Sequence, residues 1–93
     1  MIRSFKDQTT EAVFRGQCPK GFPVQIFKVA RRKLAAVDAA MTLDDLRVPP
    51  ANRLEALKGD RKAQHSIRIN DQWRVCFRWT DEGPADVEIV DYH

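Results

Sequence analysis

The feature that most constrains this chain is the alternation between His65 and Trp79. His65, Ile67 and Ile69 share one parity while Ser66, Arg68 and Asn70 take the other. After Asn70-Asp71-Gln72, a run with turn chemistry, Trp73, Val75, Phe77 and Trp79 point one way and Arg74, Cys76 and Arg78 the other. A period of two over this length predicts a β-hairpin with one apolar and one basic face. An apolar sheet face must be covered, so the rest of the chain has to supply the cover.

The cover is legible upstream. From Pro23, the residues Val24, Phe27, Ala30, Leu34, Val37 and Met41 recur at helical spacing and predict a long amphipathic helix. Its outer side carries Lys28, Arg31, Arg32 and Lys33, which read as a solvated face rather than a dedicated RNA contact. Before it, Asp7 can cap a shorter helix running through Glu11, Ala12, Val13 and Phe14 until Gly16 stops it. Ile2 to Phe5 reads as a short first strand. Pro49-Pro50 makes Arg47 to Arg53 an extended connection, and Leu54 to Arg61 ends in a Gly59-Asp60 turn. Asp81-Glu82-Gly83-Pro84 turns the chain into a last strand, Ala85 to Val90, with Val87 and Ile89 on the core side. The expectation is an α+β fold in the order β-α-α-β-β-β, two helices on one face of a small, mostly antiparallel sheet. With 93 residues there is room for one domain, residues 1–93.

Charge is unevenly placed. Residues 1–46 carry eight basic and five acidic side chains, 47–80 eight and three, and 81–93 none and five. The net +3 suggests an anionic partner, and the acidic last strand is expected to pair with the basic strands beside it. There is no apolar run of membrane length and no apolar segment of a secretory signal near Met1, so a cytosolic protein is expected, with no membrane partner. Cys18 and Cys76 lie in no CxxC context and are expected as free thiols, Cys76 as a small buried hydrophobe in its strand. No pair among His65, His93, Cys18 and Cys76 has zinc-site spacing, so neither metal nor cofactor is expected.

Arg68, Arg74 and Arg78 on the uncovered face make that face the candidate site. Cleaving RNA without a metal needs a group to deprotonate a ribose 2′-hydroxyl, another to protonate the leaving 5′-oxygen, and cations around the crowded phosphate. His65, His93, Tyr92, Glu55, Asp60 and Asp91 are the proton-transfer candidates, and Lys58, Arg61, Arg68, Arg74 and Arg78 the cations. His65 has core parity and reads as a packed, hydrogen-bonded imidazole rather than a catalytic one.

The run Leu57-Lys58-Gly59-Asp60-Arg61, the run Ser66 to Val75 and the ending Val90-Asp91-Tyr92-His93 together resemble the HigB toxins of the RelE/ParE superfamily, and Met1 to Phe5 matches as well. The resemblance implies a RelE-like fold and a ribosome-dependent endoribonuclease that cuts mRNA in the ribosomal A site. It also implies a helix-turn-helix antitoxin of the HigA type, with operator DNA bound only through the toxin-antitoxin complex. By position, Lys58 and Arg74 look like phosphate-binding cations and Asp91, Tyr92 and His93 like the catalytic cluster, with Arg61, Arg68 and Arg78 as further RNA contacts. Some relatives carry a histidine three residues before the lysine, where this chain has Glu55, so Glu55 or His93 is the general base. Two other readings stay open: a ParE-like poison of a topoisomerase, and an RNA-binding regulator without catalysis.

Overall fold

The computed structural model describes residues 1–92. Helix α1 (Gln8–Phe14) begins where Asp7 accepts the Thr10 backbone N–H at 2.6 Å. It ends in a paired C-terminal motif: Gly16 N–H donates to Val13 O and Gln17 N–H to Ala12 O, with Gly16 at φ 91, a conformation that costs a glycine nothing. Helix α2 (Val24–Ala39) buries Ile26, Ala30, Leu34 and Val37. The inner stripe is rotated relative to the sequence expectation. Val24 and Met41 are exposed, Met41 lying beyond the helix end, while Ile26 joins the inner stripe beside Phe27, which is half-buried against the core.

After α2 come two 3₁₀ turns, Leu43–Arg47 and Pro50–Asn52, the short strand β1 (Glu55–Ala56), a third turn at Gly59–Arg61, and strands β2 (Gln64–Arg68), β3 (Trp73–Thr80) and β4 (Gly83–Asp91). The sheet has the order β1-β2-β3-β4, every pair antiparallel. α2 and α1 cover one side, where Leu34, Val37, Val13, Ile67, Val75, Phe77 and Val87 form the centre of the core. His65 stacks on Phe77 on that side, as its parity predicts, but contrary to the expected hydrogen-bonded imidazole its buried Nδ1 has no hydrogen-bond partner among the described residues.

Three expectations are corrected. Ile2 to Phe5 does not form a strand; it makes a single parallel bridge, Phe5 to Val87. The reason lies in β4. Its register against β3 shifts between Cys76 and Arg78, and Asp86 there adopts φ 53, which turns its N–H to the Ser4 hydroxyl (2.8 Å) and breaks the edge. The segment follows β4 only through Arg3 N–H to Pro84 O, Val87 N–H to Ser4 O and Lys6 N–H to Val87 O, and the pairing stops there because Ile89 N–H is taken by Thr10 Oγ1 of α1 at 2.9 Å. The segment predicted only to run into a turn instead supplies β1, with Glu55 opposite Ser66 and Ala56 opposite His65. Lys33 is not part of a solvated face; it is half-buried and donates to Asn52 Oδ1 at 2.5 Å, while Lys28, Arg31 and Arg32 stay exposed.

Asn52 itself is fully buried. Its amide donates to Leu46 O (3.1 Å) and Val48 O (3.3 Å), so one side chain ties α2 to the connection that delivers β1. Burial holds the Lys33 ammonium below its ordinary pKa, with Arg32 adding to the effect. Asn52→Ala should orphan two backbone carbonyls and a half-buried ammonium, lowering stability by about 2 kcal/mol. A urea titration should show a lower midpoint at unchanged slope.

Candidate functional site

The site is on the side of the sheet without helices. Register places Arg68 opposite Arg74 and Arg74 opposite Val90, and sets Glu55, Ser66, Cys76 and Glu88 abreast across the four strands. Cross-strand partners share a face, so all these side chains rise on the open side. Ser66 and Cys76 are nonetheless fully buried. Long cationic side chains lie over them in place of a helix.

Arg74 is the best-held of these. Its Nη1 donates to Ser66 Oγ (2.9 Å) and to the Arg53 carbonyl (3.3 Å), and its Nη2 donates to Glu55 Oε1 (2.9 Å). The side chain is 14% exposed. A guanidinium has five N–H donors, and the Nε–H and one Nη2–H of Arg74 carry no partner among the described residues. In a guanidinium the Nε–H and the Nη2–H beside it form one edge, the fork that matches two oxygens of a phosphate. The Tyr92 ring lies beside this guanidinium, 5.9 Å from Cζ to ring centroid, within cation–π range.

Arg61, projected from the Gly59–Arg61 turn, donates to Glu88 Oε1 (2.7 Å) and Gln64 Oε1 (3.2 Å). The hydrogen bond it donates to Glu88 raises its pKa above the ordinary value, against a smaller opposing effect of burial. Lys6 from the N-terminal segment also reaches Glu88, at 3.7 Å. Arg61, Val90, Asp91 and Tyr92 line a cleft of about 340 Å³ beside Arg74.

The structure therefore brings together Glu55, Arg74, Arg61 and Tyr92. It sets the others apart. Arg68 pairs with Asp71 at the tip of the β2–β3 hairpin, and Arg78 pairs with Asp86 at 3.2 Å. At about 3.3 Å per residue, Arg78 is about 13 Å along β3 from Arg74. Asp91 stands opposite Trp73, which gives it the parity of the helix side, and it accepts from Gln72 Nε2 at 3.1 Å. Lys58 is exposed on the loop after β1; its carbonyl accepts from Arg61 N–H at 3.3 Å, and its ammonium has no hydrogen-bond or ion-pair partner among the described residues. His93 lies outside the described residues.

The basic face is thus not bare: Arg61, Arg68, Arg74 and Arg78 each have a carboxylate, two of them, Glu88 and Asp86, from the acidic last strand. Sequence reasoning passed over Ser66, Glu88, Lys6 and the Arg53 carbonyl. Ser66 and Glu88 could have been found by parity, Ser66 because it shares its face with Arg68 and Glu88 because it lies between the core-facing Val87 and Ile89. No local signal marks Arg53, whose carbonyl is turned by a left-handed φ of 46.

Comparison with known families matches residues 3–93 to the HigB-like toxins, described as a RelE-like toxin of type II toxin-antitoxin system HigB. The chain is 40% identical to Toxin HigB-1 of Vibrio cholerae, covering 100% of this chain and 98% of that one. It is 30% identical to Endoribonuclease HigB of Proteus vulgaris, with both chains covered in full, 100% each. Among solved structures it superposes on a chain of the YoeB-YefM complex from Staphylococcus aureus with a TM-score of 0.62 at 15% identity, over 100% of this chain and 98% of that chain, a likeness of fold.

Burial pushes the Cys76 thiol from an ordinary 9.0 up to about 11, with Arg61 opposing the shift. The folded state therefore keeps a proton that the unfolded state releases. This contribution to stability is fully present below about pH 9 and is lost as pH rises through 11. Iodoacetamide at pH 8 should give one adduct, at exposed Cys18, and a second only in urea, read by mass spectrometry. In Cys76→Ala the alkaline loss of stability should be shallower.

Proposed function

The chain belongs to the RelE-like HigB toxins of type II toxin-antitoxin systems, and from that membership we propose that it is an endoribonuclease that cuts mRNA in the ribosomal A site and so stops translation. The observation that carries the reading is Arg74: a nearly buried guanidinium, fixed by Ser66, the Arg53 carbonyl and Glu55, that keeps a two-donor edge in reserve beside Tyr92. A structural ion pair does not need that spare edge; a phosphate passing through a crowded transition state does.

The chemistry follows from the groups at hand. Glu55 accepts from Arg74 through Oε1 and uses Oε2 to take the proton of the ribose 2′-hydroxyl. The 2′-oxygen bonds to phosphorus, the bond from phosphorus to the 5′-oxygen breaks, and a proton is delivered to that oxygen. The products are a 2′,3′-cyclic phosphate and a free 5′-hydroxyl. His93 is the proposed proton donor, on the strength of the resemblance that the Asp91-Tyr92-His93 run bears to the family. Arg74 and Lys58 bear the charge that develops on the phosphate, Tyr92 stacks on a base, and Asp91 orients the segment through Gln72. Arg61 holds the RNA backbone beside the cleft, with Arg68 and Arg78 as outer contacts.

The partners proposed are mRNA and the ribosome in the cytoplasm, and a HigA-type helix-turn-helix antitoxin through whose complex operator DNA is bound. The relative named Endoribonuclease HigB supports the activity, and the structural neighbour from a toxin-antitoxin complex supports the antitoxin. Residues 1–93 act as one domain, and no metal or cofactor enters the scheme. Among the described residues no helix is long and apolar enough to cross a membrane.

Purified protein should leave naked mRNA nearly intact at physiological salt, because the paired open face leaves little uncompensated positive charge to hold it. It should cut the same mRNA once ribosomes present an A-site codon. Arg74→Ala should lose about 2 to 4 kcal/mol of transition-state stabilisation and allow cells to grow. The double variant Arg31→Ala with Arg32→Ala should remain toxic; a reversal of these phenotypes would move the RNA to the helix face. His93→Ala should abolish cleavage of ribosome-bound mRNA while circular dichroism shows an unchanged fold.

A further inference from the structure

We propose that Ser66 is a positioning residue for cleavage: its hydroxyl sets the rotation of the Arg74 guanidinium, and with it the direction in which the free donor edge faces the RNA. The proposal rests on the endoribonuclease reading and extends it to a residue that itself reaches no substrate. Ser66 is fully buried, so the RNA cannot touch it. Its Oγ is 2.9 Å from Arg74 Nη1, and Arg74 sits one strand away and two residues along from the position facing Ser66, which is Cys76. The side chain of Arg74 has therefore crossed from β3 over β2, where Ser66 and then Glu55 of β1 receive it in succession.

The three acceptors are not equivalent. Glu55 is half exposed, at 53%, and its carboxylate is the proposed base, so it is free to swing and changes charge during the reaction. The Arg53 carbonyl is the longer contact, at 3.3 Å. Ser66 is neutral, on a paired strand and without freedom to move, because the space around its hydroxyl is closed. It is the acceptor that stays fixed while Glu55 takes up a proton. A guanidinium is planar, so fixing Nη1 against Ser66 and Arg53 fixes the plane of the whole fork, Nε–H and the second Nη2–H included. An apolar residue at this position would leave Arg74 held only by the longer contact to the Arg53 carbonyl and by the group that is being titrated.

The test uses Ser66→Ala and Ser66→Cys, the second retaining nearly the same volume beside Cys76 while replacing the hydroxyl by a poor acceptor. Single-turnover cleavage of ribosome-bound mRNA should fall by about 10- to 100-fold in both, the scale of misplacing one positioned group, with binding to ribosomes and thermal unfolding within error of wild type for Ser66→Cys. In an Arg74→Ala background the same changes should alter the residual rate by less than about twofold, since a residue acting through Arg74 has nothing left to act on. Equal losses in the two backgrounds, or wild-type cleavage by Ser66→Cys, would overturn the proposal. Independently of activity, nitrogen NMR of the Arg74 side chain should show hindered rotation about the Cζ–Nη1 bond in the wild type and free rotation in Ser66→Cys. Unchanged rotation would overturn the proposal even if cleavage were affected. A wild-type protein that does not cut ribosome-bound mRNA would sink the functional reading, and the NMR comparison would still decide whether Ser66 holds Arg74.

Discussion

Val75 and Phe77, both fully buried on β3, are the constraint on which the remaining structure depends. Each side chain placed under the helices is worth about 1.5 to 3 kcal/mol. A slip of one residue along the ladder would reverse every parity, exposing both and driving Arg74, Cys76 and Arg78 into the core. Burying unpaired guanidinium groups costs several kcal/mol more, so no slip by an odd number of residues competes. Once it is set, the opposite face of the sheet is obliged to be the charged one, and Arg74 must find its partners there.

How it finds them explains the odd burial of that face. A cation only 14% exposed, on a side without helices, is tolerable because three acceptors converge on it and it leaves no charge uncompensated. Arg61 and Glu88 repeat the solution one strand over, with Lys6 reaching the same carboxylate oxygen. These pairs are partly exposed, so their value lies less in stability than in holding guanidinium planes in fixed orientations. A surface organised in this way offers donors in defined directions rather than a general positive field. That suits recognition of one strained phosphate in a site supplied by another particle, and it suits poorly the indiscriminate capture of free RNA.

The elements that were readable are those governed by near neighbours. The caps at Asp7 and Gly16, the α2 stripe through Ala30, Leu34 and Val37, and the hairpin parity all depend on residues within a few positions of each other. The errors share a different origin. Ile2 to Phe5 has strand composition, but its pairing was decided by the left-handed Asp86 and by Thr10, residues far away in the chain that happen to occupy the same edge. Lys33 looked like any lysine on a polar face until Asn52, nineteen residues on, came to lie beneath it. Glu55 was singled out for its place relative to Lys58, whereas its position in the site comes from pairing with Ser66.

The sequence by itself determined which side chains could share a face, because the periods of helix and strand are properties of the backbone and hold wherever the segment ends up. From that alone came the covered face, the basic face and the acidic strand destined to lie beside it. Only the tertiary structure decided which charges meet. Arg74 is nineteen residues from Glu55 and twenty-one from the Arg53 carbonyl, and Arg61 is twenty-seven from Glu88. Contacts at such separations are fixed by the order of strands in the sheet and the turn of one backbone carbonyl, and no local pattern encodes either, since the energy that selects them is released only when the whole sheet has closed.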